Sequence, residues 1–205
     1  LGTDGVYRDE AGVLRYQSPH GTLVEMVAAT VEKFPDREAL REVGGERLTY
    51  KELWDRAAVV AGGLREAGVA PGDRVAIRFA NGIDWCLGFL GAQLAGAVAV
   101  PVNTRFSASE VDYVVGDAEA ACVLSAESGL PSGAPLAWRE AEPDTLAALF
   151  YTSGTTGFPK GAMMTHANCL AAAETFRRQA DRPGPEGRTL IAVPLFHVTG
   201  CNSQF

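Results

Sequence analysis

Apolar and polar residues follow two different rhythms along the chain. Apolar residues that recur every three or four positions indicate amphipathic helices, and short apolar runs bounded by Gly, Pro or Asp indicate buried strands. The first rhythm predicts helices over residues 23–34, 49–68 and 165–180, and further helices that begin at 83 and after 107. The second predicts strands over residues 38–43, 46–49, 73–79, 97–100, 120–124, 147–151 and 190–193, with extended chain over 162–164.

Ser and Thr residues mark the points where the predicted helices begin. Their hydroxyls accept hydrogen bonds from the free N–H groups of a first helical turn, and a Glu three residues later completes a capping box. We predict simple caps at Thr22 and Thr165. Complete boxes are predicted at Thr49 with Glu52 and at Ser107 with Glu110.

The order of the elements predicts an α/β fold. Strands that alternate with helices form right-handed βαβ units, whose parallel strands build a sheet covered on both faces. The strands at 38–43 and 46–49 differ, because Gly44 and Gly45 between them indicate a two-residue hairpin turn. Residues 125–146 are rich in Pro, Gly and acidic residues, and we interpret them as a connector. The prediction is therefore mostly parallel sheets flanked by helices.

One apolar stretch, residues 85–102, has nearly the length of a membrane span. Gln93 is its single strongly polar residue, but three glycines interrupt it and Pro101 stands near its end. A buried helix that runs into a buried strand explains this pattern better than a lipid-facing helix. We therefore predict no transmembrane segment.

Composition limits the partners and the compartment. The 205 residues are 47% hydrophobic and 21% charged, which is typical of a globular chain, and the net charge of −7 argues against a nucleic-acid partner. The first residues lack the charged and apolar regions of a signal peptide, so we expect none. The dispersed cysteines form no C-x-x-C pair, so we expect reduced, mostly buried thiols and a cytoplasmic protein. These cysteines are Cys86, Cys122, Cys169 and Cys201.

The most distinctive segment is residues 151–161, Tyr-Thr-Ser-Gly-Thr-Thr-Gly-Phe-Pro-Lys-Gly, which follows a predicted strand. Its glycines allow the backbone N–H groups to form a concave anion site, its hydroxyls add donors, and Lys160 adds a mobile charge. A triphosphate fits this chemistry, and an ordinary surface loop is the alternative. The segment is not a nucleotide P-loop, because Pro159 precedes the lysine and Gly161 follows it.

The run TSGTTGxPKG after an apolar strand resembles the signature of the adenylate-forming enzymes. These include acyl-CoA synthetases, firefly luciferase and the adenylation domains of peptide synthetases. Residues 193–200, VPLFHVTG, are similar to the family's next motif and follow at a similar spacing. The resemblance implies that residues 1–205 are the N-terminal portion of the large AMP-binding domain, without the C-terminal lid domain. In the family, the interval corresponding to 125–146 is usually longer.

The resemblance also implies a reaction in two steps. A carboxylate attacks the α-phosphorus of ATP to give an acyl-adenylate and pyrophosphate, and the CoA thiol then displaces AMP to give a thioester. The implied cofactors are ATP, Mg²⁺ and CoA, and the implied partner is a fatty or aryl acid. Lys160 is implied to be catalytic, because it neutralises charge on the phosphates. The residues implied to cradle the phosphates are Thr152, Ser153, Gly154, Thr155, Thr156, Gly157 and Lys160.

His197 is the second residue implied to be catalytic. It follows a predicted strand end, where ligands gather in α/β sheets, and the resemblance makes it a gate or wall of the acyl pocket. Peptide-synthetase domains typically carry Asp here to pair with a substrate amine, so an acid without an α-ammonium group is favoured. A structural role for His197 is the alternative, and we interpret His20 and His166 as structural.

The resemblance leaves three questions open. The family's adenine, ribose and Mg²⁺ motifs and its catalytic C-terminal lysine have no counterpart in these residues, so the metal ligands are unknown and the chain alone is expected not to turn over. We expect it to be the N-terminal part of a longer enzyme. A non-catalytic nucleotide-binding module and an adenylation domain for another acid are the alternatives. The sequence does not set the oligomeric state, a homo-oligomer included.

Overall fold

The protein, here a computed structural model, is described over residues 5–18, 20–137, 141–152, 158–179 and 187–204. These residues form six helices: α1 Leu23–Lys33, α2 Tyr50–Glu66, α3 Ile83–Leu94, α4 Ala108–Asp117, α5 His166–Gln179 and α6 Val198–Asn202. They also form nine strands: β1 Val6–Arg8, β2 Leu14–Tyr16, β3 Glu38–Arg41, β4 Arg47–Thr49, β5 Arg74–Arg78, β6 Val98–Pro101, β7 Ala120–Ser125, β8 Leu146–Thr152 and β9 Lys160–Thr165.

A five-stranded sheet with the order β7-β5-β6-β8-β9 organises the chain. β5 is parallel to β6 and β7, β6 is parallel to β8, and β9 returns antiparallel to β8. Since parallel neighbours need a crossover, α3 connects β5 to β6 and α4 connects β6 to β7. The predicted α/β fold with a mostly parallel sheet is confirmed. Two antiparallel pairs, β1-β2 and β3-β4, lie outside this sheet.

The apolar stretch at 85–102 forms the buried helix α3 and the buried strand β6, as predicted. Every residue from Trp85 to Leu94 in α3 is buried, and Val98–Pro101 of β6 is buried throughout. α3 packs against α2 so closely that a Cβ on Gly91 would lie 2.6 Å from Val60 Cγ1. Among the described residues, no helix has both the length and the apolar character to cross a membrane.

The predicted caps form where the sequence places them. The boxes at Thr49 with Glu52 and at Ser107 with Glu110 are both complete, and Thr22 also caps α1. Thr165 Oγ1 accepts a hydrogen bond from the N–H of Asn168 at the start of α5 (3.1 Å). These local contacts explain why the helices begin at the predicted residues.

α3 begins in a different way, because Gly82 at its N-cap has no side chain. The Oε1 atom of Glu42, from the turn between β3 and β4, accepts a hydrogen bond from the N–H of Ile83 at 2.7 Å. A carboxylate at a helix N-terminus also interacts favourably with the helix dipole. The turn of the small β3-β4 pair is therefore joined to the helix that fills the core.

The predicted two-residue turn between β3 and β4 is wrong. The N–H of Glu42 donates to the carbonyl of Glu46 at 3.0 Å, so the turn contains three residues. This turn pairs Leu40 with Leu48, and both side chains pack against the main core. A two-residue turn would shift the register by one and turn one of these leucines away from the core.

The predicted strand at 190–193 is also wrong, because these residues belong to no strand of the described sheet. Leu190 is 80% exposed. A strand requires backbone partners, and here Val193 and Leu195 are bonded to the side chain of Asn81 instead. β7 ends at Ser125 and β8 begins at Leu146, and the described residues between them form no named helix or strand.

The cysteines are all free, as expected. Cys86, Cys169 and Cys201 are buried and Cys122 is half-buried. Burial raises the pKa of the Cys86 thiol, and also of the Cys169 thiol, to about 12. These thiols are therefore protonated and unreactive at neutral pH.

Candidate functional site

The antiparallel hairpin of β8 and β9 brings two of the predicted phosphate-binding residues together. Thr152, the last residue of β8, pairs with Lys160, the first residue of β9, and both are exposed. Ser153, Gly154, Thr155, Thr156 and Gly157 lie outside the described residues. The geometry therefore presents one hydroxyl and one ammonium group side by side at the loop end of the hairpin, where β8 ends and β9 begins.

The residues of β8 that precede Thr152 are held firmly. Ala147 and Ala148 are fully buried and Phe150 is 5% exposed, so the strand is fixed in the core while its last residue reaches the surface. β8 also runs parallel to β6, and ligands of open α/β sheets bind beyond the carboxyl ends of such strands. Thr152 therefore lies at the edge of the sheet where a ligand is expected.

Helix α4 contacts the hairpin on both arms. The hydroxyl of Tyr151 donates a hydrogen bond to Asp117 Oδ2 at 2.6 Å. The ring of Phe158 stacks on Tyr113, with ring centroids 4.9 Å apart and an interplanar angle of 25°. Burial, followed by the hydrogen bond and the charge of Asp117, raises the pKa of Tyr151, so its hydroxyl remains a donor across the physiological range.

His197 caps α6 and is exposed. The Nδ1 atom of its ring accepts a hydrogen bond from the N–H of Thr199 at 3.3 Å. The backbone N–H of His197 donates to the carbonyl of Pro194 at 3.0 Å. The neutral ring therefore carries its proton on Nε2. The side chain therefore caps α6 through Nδ1, and its Nε2–H can donate to a ligand.

Asn81 holds the segment that leads to His197, and sequence reasoning missed it. Its Nδ2 donates to the carbonyl of Val193 at 3.0 Å, and its Oδ1 accepts from the N–H of Leu195 at 2.8 Å. One amide side chain thus provides the two bonds that a neighbouring strand would provide. The available indication was the Asn-Gly pair shortly after β5, at the carboxyl edge of a predicted parallel strand.

Asn81 and Thr152 lie at the same end of the sheet, the end where the parallel strands have their carboxyl termini. β5, which leads to Asn81, and β8, which ends at Thr152, point in the same direction on either side of β6. Two strand spacings separate them, or about 10 Å. The fold therefore brings the end of β8 and the segment that Asn81 anchors to the same end of the sheet.

His166 is structural, as interpreted. It is 4% exposed, and its Nδ1 accepts a hydrogen bond from the N–H of Leu23 at 3.3 Å, which joins the start of α5 to the start of α1. Burial lowers the pKa of His166 to about 4. The imidazole is therefore neutral at physiological pH.

Two other features lie apart from these residues. A pocket of about 140 Å³ is lined mainly by α1, α2 and α3, and none of the described site residues lines it. In the part of the chain that the structure describes, no group of three or more His, Cys, Asp or Glu side chains could hold a metal ion.

The family of the chain follows from its sequence match. Residues 27–137 and 126–205, two overlapping segments, match the AMP-binding enzyme family. This chain belongs to the AMP-binding enzyme family. The resemblance carried by residues 151–161 and 193–200 is thereby confirmed.

Individual relatives agree with the family assignment. The chain is 37% identical over 184 residues to a feruloyl-CoA synthase of Amycolatopsis sp, a match covering 80% of this chain and 37% of that enzyme. It is 33% identical over 182 residues to the long-chain-fatty-acid–CoA ligase FadD13 of Mycobacterium tuberculosis, covering 74% and 36%. It is also 30% identical over 167 residues to tyrocidine synthase 3 of Brevibacillus parabrevis, covering 71% and 2%.

A solved structure supports the fold. The inhibitor-bound N-terminal domain of FACL13 from Mycobacterium tuberculosis superposes with a TM-score of 0.81 at 28% identity, covering 90% of this chain and 54% of that one. The chain thus has the fold of an N-terminal domain of the AMP-binding enzymes. It spans only 37% of the feruloyl-CoA synthase that it matches.

Proposed function

We propose that this chain is the phosphate-binding part of an AMP-forming acid–thiol ligase. The reaction joins a carboxylic acid to the AMP portion of ATP, releases pyrophosphate, and then transfers the acyl group to the thiol of CoA. The observation that carries the proposal is the pairing of Thr152 with Lys160 at the carboxyl end of β8. Membership of the AMP-binding family and the names of the relatives support it.

The donors on the hairpin suit phosphate oxygens. The Thr152 hydroxyl and the Lys160 ammonium lie on adjacent strands, where strand spacing brings neighbours within about 5 Å, so both can reach one phosphoryl group. Each charge-assisted hydrogen bond contributes roughly 1.5–3 kcal/mol. In this proposal Lys160 neutralises the charge that develops on departing pyrophosphate, and residues 153–157 supply further donors.

The ammonium group of Lys160 cannot ligate a metal cation, which prefers oxygen ligands such as carboxylates and carbonyls. Mg²⁺ supplies additional positive charge to the phosphates when bound, and we assign it to no residue of this chain. We further propose that residues 1–205 form the N-terminal portion of the large domain, with 125–146 as a connector, and that the lid domain lies outside them. All four cysteines are free, which supports a cytoplasmic location.

We assign His197 to the wall of the acid pocket. It is exposed at the first turn of α6, in a segment that Asn81 anchors to the carboxyl edge of the sheet. A histidine at this position offers a substrate amine no negative charge. The proposed substrate is therefore a fatty or aryl acid without an α-ammonium group, and CoA is the acceptor.

An adenylation domain for another acid is the second candidate. The match to tyrocidine synthase 3 favours it, and His197 in place of an aspartate argues against it. Hydroxylamine trapping of the adenylate, with ferulate, a long-chain fatty acid and a panel of amino acids, separates the two candidates. The assay requires the chain joined to the remainder of the enzyme.

The phosphate-binding role can be tested on the 205-residue chain itself. Calorimetric titration with MgATP and with inorganic pyrophosphate should show binding that weakens roughly 10- to 100-fold in Lys160→Ala, because one charge-assisted contact is lost. Lys51→Ala is the matched control, since this exposed lysine of α2 pairs with Asp55 instead. Equal binding by wild type and Lys160→Ala would contradict the proposal.

A further inference from the structure

Two residues of α4 together contact both arms of the β8-β9 hairpin, which carries the proposed phosphate site. Tyr113 and Asp117 are four residues apart, so they lie on the same face of the helix, one turn from each other. Asp117 bonds the arm that ends at Thr152, and Tyr113 stacks on the arm that leads to Lys160. One helix face therefore contacts the hairpin on both sides of its loop end.

The first arm is held by a directed bond. Tyr151 immediately precedes Thr152, and its hydroxyl lies 2.6 Å from Asp117 Oδ2. The Tyr151 ring packs against the smaller apolar cluster, which includes Val114 of α4. The bond and the packing together fix the position of the residue from which the Thr152 side chain projects.

The second arm is held by a ring contact that adds little to the core. Phe158, two residues before Lys160, is 67% exposed although its ring lies 4.9 Å from that of Tyr113. Burying so little apolar area gives a small hydrophobic stabilisation. The contact therefore contributes chiefly to the placement of this arm.

The two arms also restrict each other next to the Thr152–Lys160 pair. Gly161 pairs with Tyr151, and a Cβ on Gly161 would lie only 3.2 Å from the Tyr151 ring. The ring therefore covers the opposite strand closely. A shift of Tyr151 away from Asp117 would be transmitted to the strand that begins at Lys160.

We propose that Tyr113 and Asp117 are positioning residues, which hold the two arms of the hairpin so that Thr152 and Lys160 face the same phosphate group. This inference rests on the proposed function, because it assigns a purpose to the spacing of the two donors. It assigns no direct contact with ligand to α4. Its consequence is that Phe158→Ala and Tyr151→Phe, which leave the charge of the site unchanged, weaken phosphate binding.

Phe158 provides the cleanest test. Because it is largely exposed, Phe158→Ala should leave the melting temperature of the chain nearly unchanged. We expect calorimetric titration with inorganic pyrophosphate to show affinity roughly threefold to tenfold weaker, the size of an aromatic pair contact. Phe158→Tyr keeps the ring and should restore wild-type affinity. Met163→Ala is the matched control. Met163 is 69% exposed on the same hairpin, and it is not among the described residues of the smaller apolar cluster that includes Val114.

A double-mutant cycle tests whether Tyr113 acts through Phe158. If the two rings form one unit, Tyr113→Leu combined with Phe158→Ala should weaken pyrophosphate binding no more than Phe158→Ala alone. On the other arm, Tyr151→Phe removes only the donor and should also weaken binding. Asp117→Asn keeps an acceptor for the Tyr151 hydroxyl and should bind at least as well as wild type.

The outcomes separate this inference from the function on which it rests. If Phe158→Ala and Tyr151→Phe bind pyrophosphate as tightly as wild type while Lys160→Ala does not, the positioning role is wrong and the phosphate site stands. If wild type itself binds neither pyrophosphate nor MgATP, the phosphate site and the positioning role both fall. Additive losses in the Tyr113 and Phe158 cycle would contradict the claim that the rings act as a unit.

Discussion

The layer of α2 and α3 and the rim formed by the β8-β9 hairpin with α4 are held together in different ways. In the layer, α3 is buried along nearly all of its length, and Gly91 leaves no space between the helices for a Cβ. At the rim, α4 contacts the residues beside Thr152 and Lys160 through a hydrogen bond, a ring stack and the packing of the Tyr151 ring against the smaller apolar cluster. Close packing along a whole helix thus determines the layer, and a small number of contacts determines the rim.

This difference separates folding from binding. Substitutions in the layer should change the free energy of unfolding, because interiors are close-packed and tolerate added volume poorly. Substitutions at the rim should change phosphate affinity with little effect on stability, as proposed for Phe158. The following predictions test this separation, beginning with the largest expected effect.

Gly62→Ala should destabilise the layer most. A Cβ at Gly62 in α2 would lie 1.8 Å from the carbonyl oxygen of Ala134, which belongs to the connector that runs across this helix. We expect a loss of about 3 kcal/mol or more in the free energy of unfolding, measured by urea denaturation.

Gly116→Ala is the matched control for Gly62→Ala. Gly116 is a helical glycine of α4, and nothing lies within 4 Å of its added Cβ. We expect it to stabilise the chain by about 0.5–1 kcal/mol through helix propensity. Equal effects of the two substitutions would show that backbone propensity, and not packing, limits the layer.

The stability of the chain should depend on pH through His166, which joins α5 to α1. Its pKa is lowered to about 4 in the folded state from the ordinary value of 6.5, so its contribution is fully present above pH 6.5. The contribution is lost as the pH falls from 6.5 to 4, by up to roughly 3 kcal/mol, because the unfolded chain binds the proton more readily.

Comparison of wild type with His166→Gln isolates this effect from the other titrating groups. Gln can still accept a hydrogen bond, but it does not titrate in this range. The difference in free energy of unfolding between the two proteins should shrink as the pH falls from 6.5 to 4. A difference independent of pH would mean that His166 has an ordinary pKa in the folded protein.

Asn81→Ala should destabilise the chain less than Gly62→Ala does, and it should have a clear local effect. It removes both side-chain bonds to the backbone of Val193 and Leu195. Because the segment is largely exposed, we expect a loss of about 1–2 kcal/mol at most. Hydrogen exchange should show the N–H of Leu195 losing protection while the strands keep theirs.

Asn81→Asp is the graded control for Asn81→Ala. It keeps the acceptor for the N–H of Leu195 and loses the donor for the carbonyl of Val193. Protection of Leu195 should therefore be intermediate. Full protection of this N–H in Asn81→Ala would show that another group holds the segment.

The parts of the fold that could be predicted from the sequence are local. The capping boxes at Thr49 and Ser107 depend on residues three positions apart, and the buried helix α3 depends on one continuous apolar run. The turn at Gly44 and Gly45 could not be predicted correctly, because its length is set by the pairing of Leu40 with Leu48 on the core. Residues 190–193 gave an apolar pattern, but no described strand lies beside them.

The same distinction applies to the candidate site. The neighbourhood of Thr152 and Lys160 could be anticipated from a single motif with a strand on each side. The contact of Asp117 with Tyr151 joins residues 34 positions apart, and that of Asn81 with Leu195 joins residues 114 positions apart. No periodicity or spacing in the sequence carries such contacts, because they depend on the order of strands in the sheet.

The strand order also has a consequence for how the chain is made. β5 and β6 form the middle of the sheet, β7 then adds to one side, and β8 with β9 add to the other. A ribosome delivers the chain in this same sequence, N-terminal segments first. Each strand therefore leaves the ribosome after the strand beside which it lies, and β8 and β9, which are close in sequence, complete the sheet.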